Sequence, residues 1–258
     1  MDRLTDATEL LDGTLDDPAM LAGNLRDLGR VNHRLGGVAL SAAGIDALAA
    51  HRTELSLLDV GTGGADIPVA LLERAAARGR QWSIVGLDSR PEVLAAAVLA
   101  RPELAVTDGL ELHVGDGTSL PYPDDSFDVV HCSLVVHHCT PDEAGTLFRE
   151  MARVARLGIV VNDLDRRWLG WIGAMLMGHL LTRNRYTRND APLSVRRAYR
   201  ADEMVAMLRA AGLAPVRIIR GSLRQRYAIA AIAAARTYTG DAGTRDLTAA
   251  PDPIGAGE

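Results

Sequence analysis

The stretch Leu57-Leu58-Asp59-Val60-Gly61-Thr62-Gly63-Gly64-Ala65-Asp66-Ile67-Pro68, LLDVGTGGADIP, decides the fold. Its apolar half reads as the end of a buried strand, and its glycines as a tight turn. Asp66, as a helix N-cap, and Pro68, in the first turn, then open a helix that runs to a stop at Gly79. Strand, glycine turn and helix together make the opening unit of a doubly wound α/β sheet. Asp59 stands two places before Gly61. A carboxylate at that point repels a phosphate, so it needs another explanation.

The same alternation continues along the chain. WSIVGLD, LELHVGD, FDVVHCSLVV and LGIVVND read as strands, and RPEVLAAAVLA and PDEAGTLFREMARVA as helices. After an insertion come the helix RADEMVAMLRAAG and the strands APVRIIRG and RQRYAIAAIAAA. No helix separates these last two strands, which predicts an antiparallel edge hairpin on a mostly parallel, seven-stranded sheet. Residues 1–50 read as a helical N-terminal cap, with Gly36-Gly37 ending the first long helix. The main domain is expected over 51–237, with a lid insertion at 163–200. The tail 238–258, rich in Gly, Pro, Ala and Asp, reads as disordered.

Composition narrows the function. The 258 residues are 48% hydrophobic and carry a formal charge of −5, which argues against a nucleic-acid binder. The chain contains no lysine, so lysine nucleophiles, bases and Schiff bases are excluded. Cys132 and Cys139 are too few for a disulfide framework, and the acidic N-terminus lacks an apolar leader; a cytoplasmic location is expected.

A dinucleotide loop, G-x-G-x-x-G, puts a third small residue where this chain has Asp66. The ligand of this turn is therefore expected to be cationic or rich in donors rather than a pyrophosphate. An NAD-dependent oxidoreductase is one competing reading. With Leu57 to Gly64 matching hhDxGxGxG, and Ala65 replacing the last glycine, the chain resembles the class I S-adenosylmethionine (SAM)-dependent methyltransferases. The resemblance covers residues 54–162 and implies a Rossmann-like fold with SAM as cofactor. It places Asp59 toward the methionyl amino end, with Gly61, Thr62 and Gly63 forming the turn. Asp88, 29 residues beyond Asp59 in IVGLDSR, takes the ribose hydroxyls, with Ser89 beside it. In VGDGTSLPYPDDSFDVV, Asp116 accepts from the adenine amino group, and Gly117 or Thr118 lies against the ring. Ser133 and Leu134 sit beside the methionyl part.

The acceptor side is expected after the fourth strand, in CSLVVHHCT. His137 and His138 are the candidate bases for a phenolic proton, and the choice between them is open. No metal is expected: His131, His137, His138, Cys132 and Cys139 show no C-x-x-C or H-E-x-x-H spacing. In the lid, Trp168, Trp171, Met175 and Met177 suit a greasy pocket for a small hydrophobic acceptor. Its apolar run, Trp168 to Leu181, is shorter than the ~20 residues of a membrane span. Arg183, Arg185, Arg188, Arg196, Arg197 and Arg200 fit a solvated face, an acidic acceptor, an anionic membrane surface touched peripherally, or acids of the N-terminal region. RDLGRVNHRLGG and TRNRYTRNDAPLSVRRAY are similar to methyltransferases found beside type III polyketide synthases, and more distantly to menaquinone and ubiquinone methylases. That likeness implies a phenol, quinol or polyketide acceptor. It also brings the N-terminal helices over the cofactor and Arg30 toward the SAM carboxylate.

Overall fold

In the computed structural model, seven strands form one sheet in the order β3-β2-β1-β4-β5-β7-β6. The structure describes residues 1–5, 7–180, 182–221 and 224–234, without the side chains of Met177 and His179. The tail read as disordered, 238–258, lies outside the described residues.

The central strands are β1 (Glu54–Val60), β2 (Gln81–Asp88), β3 (Leu110–Val114), β4 (Phe127–Ser133) and β5 (Ala155–Leu164), all mutually parallel. β6 (Leu213–Arg220) and β7 (Arg226–Ala233) close one edge as the expected antiparallel hairpin, with β7 inserted between β5 and β6. The helices are α1 (Pro18–Arg34), α2 (Gly37–Ala49), α3 (Asp66–Ala76), α4 (Pro91–Ala100), α5 (Pro141–Val154), α6 (Trp168–Leu180), α7 (Arg185–Arg197) and α8 (Ala201–Ala210).

The two-residue period of a strand sorts its side chains between two faces. Leu58, Val60, Val130, Cys132, Ile159 and Val161 pack with Phe148, Met151, Met204 and Leu208 of α5 and α8. Leu55, Leu57, Ile84, Val129 and Val160 pack with Ile45, Ile67 and Leu71 of α2 and α3 on the opposite face. α2 is thus a core helix of the sheet. Both faces of the parallel strands are covered, which is why their sequences are nearly continuous apolar runs.

That period also sets up the site. Asp59 and His131 share the face of Leu57 and Val129, and they are register partners on neighbouring strands. Both therefore turn toward α2. α1 is capped by Asp17, whose carboxylate accepts from Met20 N at 2.9 Å, and α5 by a Thr140–Glu143 capping box.

Candidate functional site

β1, β2, β3 and β4 end on the same side of the sheet, and four of the expected site residues sit at or just past those ends: Asp59, Asp88, Asp116 and Ser133. The glycine turn follows β1. Gly61 has φ +71°, and a Cβ there would lie 2.4 Å from Val135 Cγ2, so only glycine fits.

Three of the turn's backbone donors are spent on the end of β2. Gly61 N and Thr62 N both donate to Leu87 O, at 2.8 and 2.9 Å. Gly63 N donates to Asp88 Oδ2 at 3.0 Å. A phosphate cradle needs such N–H groups free; here β2 consumes three of them. What remains are carboxylates, which suits a donor-rich, cationic ligand such as SAM. Asp88 also accepts from Arg90 N at 3.1 Å, and burial pushes its carboxyl above the usual range. Asp116 is exposed and holds its own loop, accepting from Thr118 N and Oγ1 at 2.8 Å. Ser89 is exposed beside Asp88.

Two expectations change in detail. Thr62 turns its hydroxyl under the loop against Gly86, where it is buried without a hydrogen-bond partner. Asp66 is not the N-cap of α3; Ala65 holds that position at φ +51°. The half-buried Asp66 carboxylate instead accepts from Asn32 Nδ2 at 3.0 Å, because α1 crosses directly over the turn.

Behind the turn runs a buried polar chain that sequence reading missed. Asp59 Oδ1 meets His131 Nδ1 at 2.6 Å, and His131 Nε2 meets Ser41 Oγ at 2.8 Å. Asn162 Nδ2 donates to Ser41 Oγ at 2.7 Å and to Gly37 O at 2.9 Å. The buried Arg226 guanidinium donates to Asn162 Oδ1, Asn32 Oδ1 and Ser133 Oγ at 2.8, 2.6 and 2.7 Å. Burial lowers Arg226 to about 10, with the charges of Asp163 and Asp66 acting against it. The chain ties β1, β4, β5, β7, α1 and α2 together beneath Ser133. Leu134, next in line, is held at φ +59°, an uncommon conformation for a leucine.

His137 and His138 follow in a short 3-10 turn, Val136–His138. Each has its Nδ1 on a carboxylate: His137 on Asp163 at 2.7 Å, His138 on Asp12 at 2.8 Å. Both Nε2 atoms then face Glu9, 4.0 and 3.9 Å from its oxygens. The His137 side chain is 3% exposed and that of His138 31%. Burial raises Glu9 to about 7, although Ser194 Oγ donates to it at 2.9 Å and Arg197 Nη1 at 3.3 Å. Burial also works to raise Asp12, but His138 and Arg197 outweigh it and hold Asp12 below its ordinary range. Glu9, His137 and His138 are the one group among the described residues whose ligand atoms lie close enough for a metal ion. The two thiols are no nucleophiles at neutral pH, since burial pushes Cys139 up to about 12 and Cys132 up as well.

The N-terminal segment and the insertion roof this end of the sheet together. Asp190 of α7 accepts from Leu10 N and Leu11 N, at 2.9 and 3.0 Å. Arg197 binds Glu9 and Asp12, so one of the lid arginines does meet N-terminal acids. Arg30 instead pairs with Asp27 at 2.7 Å on the exposed face of α1. Glu9, Asp12, Asn32 and Asp163 had no local signal, since each gains its role from a partner on a different element.

Residues 58–161 match the family model described as "Methyltransferase domain". An uncharacterized methyltransferase, sll0829, of Synechocystis is 30% identical over 119 residues, 45% of this chain and 50% of its own length. The chain thus spans half the length of that relative. The demethylmenaquinone methyltransferase of Deinococcus radiodurans is 31% identical over 184 residues, 66% of this chain and 72% of that protein. A SAM-dependent methyltransferase structure from Aquifex aeolicus superposes with a TM-score of 0.60 over 85% of this chain and all of that one, at 16% identity, a likeness of fold.

Proposed function

From a chain that belongs to the class I SAM-dependent methyltransferases, with these two carboxylate-held histidines, we propose methyl transfer to the hydroxyl of a hydrophobic phenol, quinol or polyketide. The observation that carries this reading is the pair of Nδ1–carboxylate bonds, His137–Asp163 and His138–Asp12. A carboxylate on Nδ1 holds the tautomer whose Nε2 is a free base, and it steadies the imidazolium formed after proton uptake. Accessibility favours His138 as the residue that takes the phenolic proton, on Nε2. Glu9, with a carboxyl near 7, lies next to that atom and is the first acceptor onward. His137 and Asp163, both buried, position the turn.

Asp59, Asp88 and Asp116 would hold SAM, with Ser133 beside its methionyl end. SAM supplies a methyl group on a sulfonium centre. The chain's own part is to orient the acceptor, exclude water beneath the N-terminal segment and α7, and remove the proton at His138 Nε2.

A second reading, methylation at carbon of a quinone-type lipid, is favoured by the Deinococcus relative's name. It uses the same proton removal, because a phenolate also activates its ring carbons.

His138→Gln should lower turnover by about 10²- to 10⁴-fold, the usual size of a general-base contribution. Thermal protection by S-adenosylhomocysteine should persist. Unchanged turnover sinks the assignment of the base. Phenols, quinols and polyketides screened with isotopically labelled SAM, with the product site read by NMR, separate oxygen from carbon transfer.

A further inference from the structure

α6 is built inside out. Its small residues Gly170 and Gly178, eight apart and so nearly on one face, turn toward the protein. Cβ atoms there would lie 3.4 Å from Gln225 Cβ and 3.3 Å from Arg188 Cα. Five of its large apolar residues turn to solvent. Trp168, Leu169, Ile172, Leu176 and Leu180 are 63%, 60%, 38%, 55% and 75% exposed. At 100° per residue, positions 168, 169, 172, 176 and 180 form one stripe along the whole helix. A helix that only covered a soluble core would put these residues inside.

The charge around the stripe is one-sided. Residues 166–200 hold eight arginines and a single acid, Asp190, a formal +7 in a chain of −5, so the remaining residues carry −12. Asp190 is buried and faces the N-terminal segment. Arg167 stands just before α6; Arg183, Arg185 and Arg188 follow it, and all but the half-exposed Arg167 lie on the surface. Arg167 pairs with Asp165 at 2.7 Å. Arg183 and Arg188 have no acidic partner among the described residues. No helix among the described residues is long and apolar enough to cross a membrane.

We propose that α6 is a membrane-docking helix. It lies flat in the interface of an anionic bilayer, with its apolar stripe among the acyl chains and the flanking arginines on lipid phosphates. The chemistry fits one occupant. Apolar area next to unpaired guanidinium groups, with no exposed acid on α6 or α7, matches an anionic lipid surface. A second copy of this chain would bring the same positive charge against itself. α6 begins five residues after Asp163, at the end of the sheet that carries His137 and His138, so docking turns the acceptor side toward the lipid. That a lipid-soluble acceptor enters from this side rests on the function proposed above; the docking itself does not.

The test uses the full chain with vesicles of phosphatidylcholine alone and with added phosphatidylglycerol. The protein should sediment with the anionic vesicles and be released at high salt. Lipids brominated near the headgroup end of their chains should quench its tryptophan emission. Leu169→Gln/Leu176→Gln/Leu180→Gln should bind at least tenfold more weakly, as should Arg183→Gln/Arg188→Gln. Both variants should keep their melting temperature and their turnover of a water-soluble acceptor, because the altered residues are exposed. Equal binding by wild type and variants overturns the proposal. So does absence of vesicle binding. So does a dimer in analytical ultracentrifugation that the leucine variant dissolves. Vesicle binding without methyl transfer to any phenol would overturn the functional reading and leave the docking surface standing.

Discussion

Glu9→Gln should stabilise the protein at alkaline pH and leave it unchanged in acid. Glu9 is 3% exposed, and its carboxyl is raised from 4.5 to about 7, chiefly by burial. Between those two pH values the folded chain keeps a proton that the unfolded chain has released. Unfolding then releases a proton, so stability falls as pH rises through the window and levels off above about 7. The gap of about 2.5 pH units, at about 1.4 kcal/mol each, corresponds to about 3 kcal/mol. For a domain of this length that is about 10 °C in Tm. Gln copies the shape and hydrogen bonds of the protonated acid without its charge. Arg197 keeps a partner in Asp12 at 2.5 Å, and His138 keeps its Asp12 bond. Differential scanning calorimetry from pH 4.5 to 8.5 on both proteins reads the effect of this cluster, because titrating groups remote from Glu9 cancel in the difference. The two should coincide near pH 4.5 and separate steadily up to about pH 7, with the variant the more stable. A chelator should not alter the separation. Parallel curves at all pH values, or a variant less stable at pH 8, would refute the account of Glu9 as a carboxyl ionised against its surroundings. A chelator that lowers the wild-type melting temperature alone would instead place a cation among Glu9, His137 and His138.

Arg226→Met should lower stability by about 2–4 kcal/mol, read from the denaturant midpoint. It strands three acceptors, on Asn32, Ser133 and Asn162, each worth about 1–3 kcal/mol when left unpaired, offset in part by removing a buried charge. A more stable variant would mean that burying the guanidinium costs more than its three bonds return. Gly117→Ala should cost about 1–3 kcal/mol, read as a fall in Tm, because the new Cβ would sit 2.7 Å from Val60 Cγ1 and 3.0 Å from Leu147 Cδ1, both buried. An unchanged melting temperature would show that β1 and α5 yield at that point.

How much was legible beforehand differs by residue. Asp88 was readable because a strand-end acid at a set distance from a glycine turn is a pattern within one short stretch. Its carboxylate accepts from Gly63 N, which ties the end of β2 to the glycine turn. The edge hairpin was readable from the absence of a helix between two apolar runs. Asp66 looks like a cap from its immediate neighbours, but the group that claims it, Asn32, arrives on α1 from 34 residues away. His131 read only as a poor metal ligand. Its place between Asp59 and Ser41 needed the β1–β4 register and the seat of α2. His137 and His138 were found as a pair, but nothing local separated them. Their distinction comes from Asp163 at the end of β5 and Asp12 at the far N-terminus.

The amino-acid order alone determined the doubly wound sheet, its glycine turn and the charge character of that turn's ligand. Apolar periodicity, helix stops and turn chemistry act between residues a few positions apart. Tertiary structure alone decided which polar groups are paid for by partners and which stay free to act. The Arg226 chain, the Glu9 cluster and the outward stripe of α6 join or expose residues according to how helices settle on the sheet. Burial and partner distance, which set each group's charge and reactivity, exist only once that packing is complete.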